Sequence, residues 1–143
     1  MKRVFVSIIC VLLTISAFSQ GKDAIVGKWL SQHGNGQIQI FKKGDKYFGK
    51  LIWLKEPNDD KGNPKHDVYN PDTKLRSRPV LGLEILKDFA FEDGTYEDGT
   101  VYDPKSGKTY SCKMTIKDNK LNIRGYIGIS LLGRTEIWSR VQS

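Results

Sequence analysis

The residues best equipped for recognition chemistry in this sequence are four arginines. Arg76 and Arg78 straddle Ser77 just before Pro79, and Arg124 and Arg134 bracket a glycine-rich apolar run. A planar guanidinium presents paired N–H donors and grips carboxylate or phosphate oxygens two at a time. Trp53, Tyr110 and Tyr126 lie in segments that alternate like strands. They would supply aromatic walls for a small amphipathic or anionic ligand whose polar end meets the arginines. The competing role is structural, with some arginines pairing to Asp72, Asp103 or Glu84 and tying a long loop to the body of the fold. Spacing alone leaves both roles open.

Other chemistries find weaker support. His33 and His66 are the two histidines, and His66-Asp67 with Asp59 and Asp60 would offer nitrogen and oxygen donors to a metal. They sit in a proline-rich stretch where nothing fixes a coordination geometry, so a solvated loop is expected and no metal site. Gly107-Lys108-Thr109 has the ending of a phosphate-binding loop. The earlier glycine that loop requires falls on Tyr102, and a strand pattern follows instead of a helix, so Gly107 reads as a turn residue. There is no Gly-x-Ser-x-Gly elbow, and Cys112 reads as a small inward-facing hydrophobe. Glu92-Asp93 and Glu97-Asp98 adjoin Gly94 and Gly99, the composition of solvated hairpin tips. No catalytic set and no cofactor are expected. An enzyme using Asp72 or Asp103 beside Arg78 is the residual catalytic reading.

The elements that must hold these residues begin after an export signal. Lys2 and Arg3 precede the apolar stretch Val4–Phe18, and Ala17-Phe18-Ser19 offers small residues for a signal peptidase, so residues 1–19 are expected to be removed. Taking 19 from 143 leaves 124 residues, enough for a single domain, residues 20–143, with one core. The expected location is periplasmic or secreted, with no membrane span after cleavage. Loss of Lys2 and Arg3 lowers the net charge from +7 to +5. That excess is mild and scattered, and with export it argues against a nucleic-acid partner. Of the two cysteines only Cys112 would remain, so no internal disulfide is available.

The apolar period of the mature chain is two. Tyr110, Cys112, Met114 and Ile116 alternate with polar neighbours, as do Leu121, Ile123 and Ile127, and Leu81, Leu83 and Ile85. Further strands are predicted at Ile25–Leu30, Gln37–Lys42, Lys46–Leu54, Thr100–Tyr102 and Thr135–Val141. Tight turns at Lys43-Gly44-Asp45 and Lys117-Asp118-Asn119, with a longer one at Asp103–Gly107, join them. About eight strands linked this way predict an all-β antiparallel meander closed into a barrel, which removes exposed edges. One segment departs from the pattern: Lys55–Pro79 is polar and carries four prolines, the composition of a functional loop lying over one barrel end.

In the run from Arg124 to Arg140, the charges exclude a membrane hairpin and the absence of a helix pattern excludes a phosphate cradle. Its glycines are expected to relieve crowding where one strand bends into the next, with Ile129–Leu132 as the connection. Gly27-Lys28-Trp29 near the start and Arg140 near the end resemble the closure of lipocalin-like barrels, a guanidinium stacked on an indole. The chain also resembles a family of secreted bacterial proteins, domain of unknown function 2147. The resemblance rests on that Gly-Lys-Trp and on Tyr47–Leu54. It extends through Asn70-Pro71-Asp72, Leu75–Gly82, Tyr102–Cys112 and Arg124–Arg140. It implies a lipocalin-like barrel and brings no activity with it. Two functions follow as expectations: a binder of a small amphipathic or anionic ligand, or a protein-interaction or envelope-structural module using loop 55–79.

Overall fold

The computed structural model describes residues 21–128 and 133–142. The expected signal segment and the connection at Ile129–Leu132 lie outside them. Eight strands follow in chain order: β1 (Gly27–Leu30), β2 (Gly36–Lys43), β3 (Lys46–Leu54), β4 (Glu84–Glu92), β5 (Thr95–Asp103), β6 (Lys108–Lys117), β7 (Lys120–Tyr126) and β8 (Arg134–Arg140). Each pairs antiparallel with the next, and β8 returns to β1 through Trp29–Arg140 and Leu30–Ser139, closing the barrel.

Local chemistry sets the hairpins. Asp118 and Asn119 both have positive φ, 52° and 61°, the conformation of a primed two-residue turn whose twist matches the flanking strands. Asp93 and Gly94 do the same between β4 and β5. These tips and Gly44 mark one end of the barrel, which a 3₁₀ turn, Lys22–Ile25, closes. Ile25 is fully buried there. The Tyr47 hydroxyl donates to Asp23 and the Tyr96 hydroxyl to the Lys22 carbonyl.

The seam between first and last strands is held by Arg140. Its guanidinium lies 4.1 Å from the Trp29 ring centroid and donates to the Ala24 and Val26 carbonyls. The Trp29 indole N–H donates to the Ile25 carbonyl at 2.9 Å. Gly27 permits this approach: its φ is +140°, and a Cβ there would lie 3.1 Å from Arg140 Nη1.

Alternation fills the interior. Trp29, Tyr47, Phe89, Tyr96, Met114 and Leu121 have at most 1% of their surface exposed, with Ile38, Ile40, Leu86 and Cys112 buried beside them. Side chains so inaccessible have no water-sized void against them, so this part of the barrel is a packed core. Cys112 sits within it as expected, and burial pushes its thiol up to about 12.

Several strand expectations are corrected. Residues 80–83 do not form a strand; β4 starts at Glu84 and runs on to Glu92. Its period is broken at Asp88, where φ is +64° and the register with β3 shifts. Glu97-Asp98-Gly99 is not a hairpin tip but a mid-strand bulge in β5, with Asp98 at φ +62° and Phe89 packed where a Gly99 side chain would stand. Ile25 belongs to the 3₁₀ turn, and Ile127, expected inward, is 72% exposed. Gly133 does sit at a crowded crossing, 2.5 Å from the Gly125 carbonyl oxygen if given a Cβ.

The seam gives the first prediction. Arg140→Ala removes the indole contact and two charged hydrogen bonds, and chemical denaturation should record a loss of about 3 kcal/mol. A loss below about 0.5 kcal/mol, the scale of ordinary surface substitutions, would mean that strand pairing alone closes the barrel.

Candidate functional site

The segment between β3 and β4 is ordered by its own backbone. Lys65 N–H donates to the Pro57 carbonyl, Val80 N–H to Lys65 and Asp67 N–H to Arg78, so its two arms zip together. Asp59 accepts the N–H groups of Lys61 and Asn63, making the tip a side-chain-closed turn. The segment leaves from the barrel rim but folds back along the outer wall of β4, β5 and β6, instead of covering the barrel end.

Register establishes which wall that is. Leu86 pairs with Val101 and Val101 with Tyr110, and Leu86 faces the core. Lys87, Thr100, Tyr102 and Thr109 are one residue removed and so lie on the opposite, outer face. Tyr102 is nevertheless buried, because the segment packs over it.

The contact is centred on Asp67, whose side chain has no exposed surface. Its Oδ1 accepts the Tyr102 hydroxyl at 2.5 Å, and its Oδ2 accepts Asn70 Nδ2 at 2.8 Å and Arg78 Nε at 3.0 Å. Burial raises the carboxyl's proton affinity, but the hydrogen bonds from Tyr102, Asn70 and Arg78 outweigh it and hold Asp67 below its ordinary value. Burial and the neighbouring carboxylate push the Tyr102 phenol up to about 12. The expectation of a solvated Asp67 is therefore corrected. The arginine tie exists, but its carboxylate is Asp67. Asp72 instead caps the short 3₁₀ turn Thr73–Leu75, and Asp103 accepts Lys105 N–H and the Ser106 hydroxyl within its own turn.

A second anchor is backbone against backbone. Gly107, at φ +72° in the β5–β6 turn, lies under Tyr69, and a Cβ there would stand 1.9 Å from the Tyr69 carbonyl oxygen.

Segment and wall enclose a cleft of about 220 Å³. Its polar lining includes Arg78, Lys87, Thr100 and Thr109, and its apolar lining Pro71, Leu75 and Ile85. Arg78 engages Asp67 through Nε, and among the described residues neither Nη nor the Lys87 ammonium has a hydrogen-bonding or ion-pairing partner. Glu84 also reaches the cleft, with its carboxylate 3.7 Å from Lys43 Nζ.

Of the residues expected at a site, Arg78 alone lines this cleft. Arg76 stands nearby, donating through Nε to the Asn70 carbonyl at 2.7 Å. Tyr110 faces the barrel interior, half-buried, while Arg124 and Tyr126 share the outer face of β7, where Arg124 donates to Thr135. Trp53 is exposed at the end of β3 and Arg134 is exposed at the start of β8. The structure does not gather these five around one cavity. From sequence Asp67 is weighed only as a metal donor in a solvated loop, and neither Asn70 nor Tyr102 is expected at a site. Asp67 and Tyr102 are 35 residues apart, and no local pattern announces their contact.

Comparison with known proteins agrees with the architecture. The family model described as "Uncharacterized protein conserved in bacteria (DUF2147)" matches residues 27–140. Among solved structures, protein HP1028 from the human pathogen Helicobacter pylori, described as belonging to the lipocalin family, is similar with a TM-score of 0.73. The two share 24% identity over 82% of this chain and 83% of that one, a likeness of fold. No curated protein matches the sequence.

Two predictions follow. Gly107→Ala should release segment 55–79 while leaving the barrel folded, read as protease cleavage confined to that segment at an unchanged far-ultraviolet spectrum. Cleavage no faster than in the parent would contradict the close approach. Asp67 binds fewer protons folded than unfolded, so its contribution is complete above its ordinary value, 3.8, and is lost as pH falls through the lowered folded value. Asp67→Asn should cost about 3 kcal/mol at neutral pH and flatten the acid side of the stability curve below about pH 4. An unchanged acid limb in the variant would show that other groups govern it.

Proposed function

Because the chain belongs to the DUF2147 family, with a lipocalin-like barrel as its fold, we propose that it is an exported binder of a small amphipathic or anionic ligand. On this reading the ligand occupies the cleft between segment 55–79 and the outer wall, not the barrel lumen. The observation that carries it is the pairing of a packed core in the closed half of the barrel with an outer cleft into which Arg78 and Lys87 bring unpartnered donors. The export part rests on the N-terminal pattern Lys2-Arg3, Val4–Phe18 and Ala17–Ser19, which favours a periplasmic or secreted location. The role is binding, not catalysis, because Asp72 and Asp103, the carboxylates that a reaction beside Arg78 would use, are engaged in local turns.

A second reading has its own observation. Val68, Tyr69, Leu75 and Leu81 expose apolar surface on and beside segment 55–79, a composition that suits a protein partner. Here the barrel would be a scaffold and the segment the contact surface.

Thermal-shift and native-mass measurements of the purified protein against lipid extracts and anionic metabolites test the first reading. A binder should raise the melting temperature, and Arg78→Ala should abolish the rise while Trp53→Ala leaves it intact. A ligand lost with Trp53→Ala and kept with Arg78→Ala would move the site to the barrel mouth. Absence of any binder, with partner capture dependent on segment 55–79, would favour the second reading.

A further inference from the structure

Resting on the binding reading above, we infer that the cleft selects the oxyanion head of a small organic acid, a carboxylate or phosphate carried on a compact apolar body. The guanidinium of Arg78 is set before any ligand arrives. Its Nε is held by the buried Asp67 carboxylate, and the Arg78 backbone carbonyl accepts Asp67 N–H at 3.0 Å. With Nε occupied, Nη1 and Nη2 remain as two parallel donors, the end-on fork that matches two oxygens of one head group. Holding the side chain in place beforehand reduces the rotamer freedom lost on binding.

The opposite wall extends the same preference. Lys87 and Thr100 are cross-strand neighbours between β4 and β5, and Thr109 neighbours Tyr102 between β5 and β6. Their ammonium and hydroxyl groups line the cleft and have no partner among the described residues. Among the described residues the one carboxylate lining the cleft, Glu84, has the Lys43 ammonium beside it. The unused Nη donors of Arg78, whose charge Asp67 already meets, the unpaired Lys87 ammonium and two hydroxyls thus face one space, and a neutral or cationic guest would leave the Lys87 charge uncompensated. Pro71, Leu75 and Ile85 supply the remainder of the lining and suit a hydrocarbon body.

Volume limits that body. The 220 Å³ of the cleft corresponds to about seven waters at ~30 Å³ each. It falls below the ~300 Å³ at which drug-sized pockets begin. One ring or a short chain fits with its head group, and a longer tail would protrude into solvent.

Calorimetric titration of the purified protein with benzoate, benzamide, phenyl phosphate and inorganic phosphate tests the inference. Benzoate and benzamide share shape and differ in head-group charge. Benzoate or phenyl phosphate should bind at least tenfold more tightly than benzamide, and affinity should fall as salt rises. Whichever of the two is tighter identifies the head. Arg78→Lys keeps the charge but loses the fork and should weaken binding about tenfold, and the exposed Lys87→Gln, which leaves the Asp67 contacts in place, about threefold. Benzamide binding as well as benzoate would overturn oxyanion selection while leaving a binding protein. Inorganic phosphate matching phenyl phosphate would overturn the apolar body. If none of the four binds while a lipid or metabolite from the wider panel does, the inference fails alone; if that panel fails too, the binding reading fails with it.

Discussion

A carboxylate with no exposed surface imposes its own terms on a protein. Removing such a charge from water costs several kcal/mol unless hydrogen bonds replace those of the solvent. Asp67 meets that requirement with a phenol from β5, an amide from its own segment and a guanidinium eleven residues on. These contacts do three jobs at once. They dock a proline-rich segment against the barrel, bury the outward-facing Tyr102, and hold the Arg78 guanidinium at the edge of the resulting cleft. Removing the Arg78 guanidinium would leave the buried Asp67 charge without an opposing one, so docked segment and oriented arginine form one unit.

The barrel contributes rigidity more than volume. Its lower interior is occupied by Trp29, Tyr47, Phe89, Tyr96 and their neighbours, and the Arg140–Trp29 stack with the 3₁₀ turn Lys22–Ile25 seals the seam. A similar architecture elsewhere does not transfer a ligand or a binding mode. In this chain the space that meets unpartnered donors lies outside the sheet, between strand faces and a loop positioned on them.

Much of this was legible in the amino-acid order, and the exceptions have physical causes. Period-two alternation in β6 and the first half of β7 gave their inward faces, because a strand covered on one side must alternate. The Gly27-Lys28-Trp29 and Arg140 pairing gave the closure. β4 and the start of β5 were obscured because bulges at Asp88 and Asp98 break the alternation and put aspartates at positive φ. Segment 55–79 was harder still. Its composition is that of a solvated loop, and its order comes from contacts across 11 and 35 residues. Arg78 could be suspected from its chemistry, whereas the role of Asp67 as a buried acceptor became visible only when its partners were placed around it. The aromatic candidates Trp53, Tyr110 and Tyr126 follow the strand period correctly enough to be on strands, yet alternation and strand ends send them to different faces.

The claim on which the account turns is that recognition occurs on the outer wall at Arg78 and not inside the barrel. A crystal structure of the protein grown with benzoate addresses it directly. The account predicts a carboxylate within hydrogen-bonding distance of Arg78 Nη1 and Nη2, with the ring against Leu75 and Ile85 and the packed core unmoved. Benzoate lodged among displaced core side chains, or at the barrel mouth beside Trp53, would contradict it.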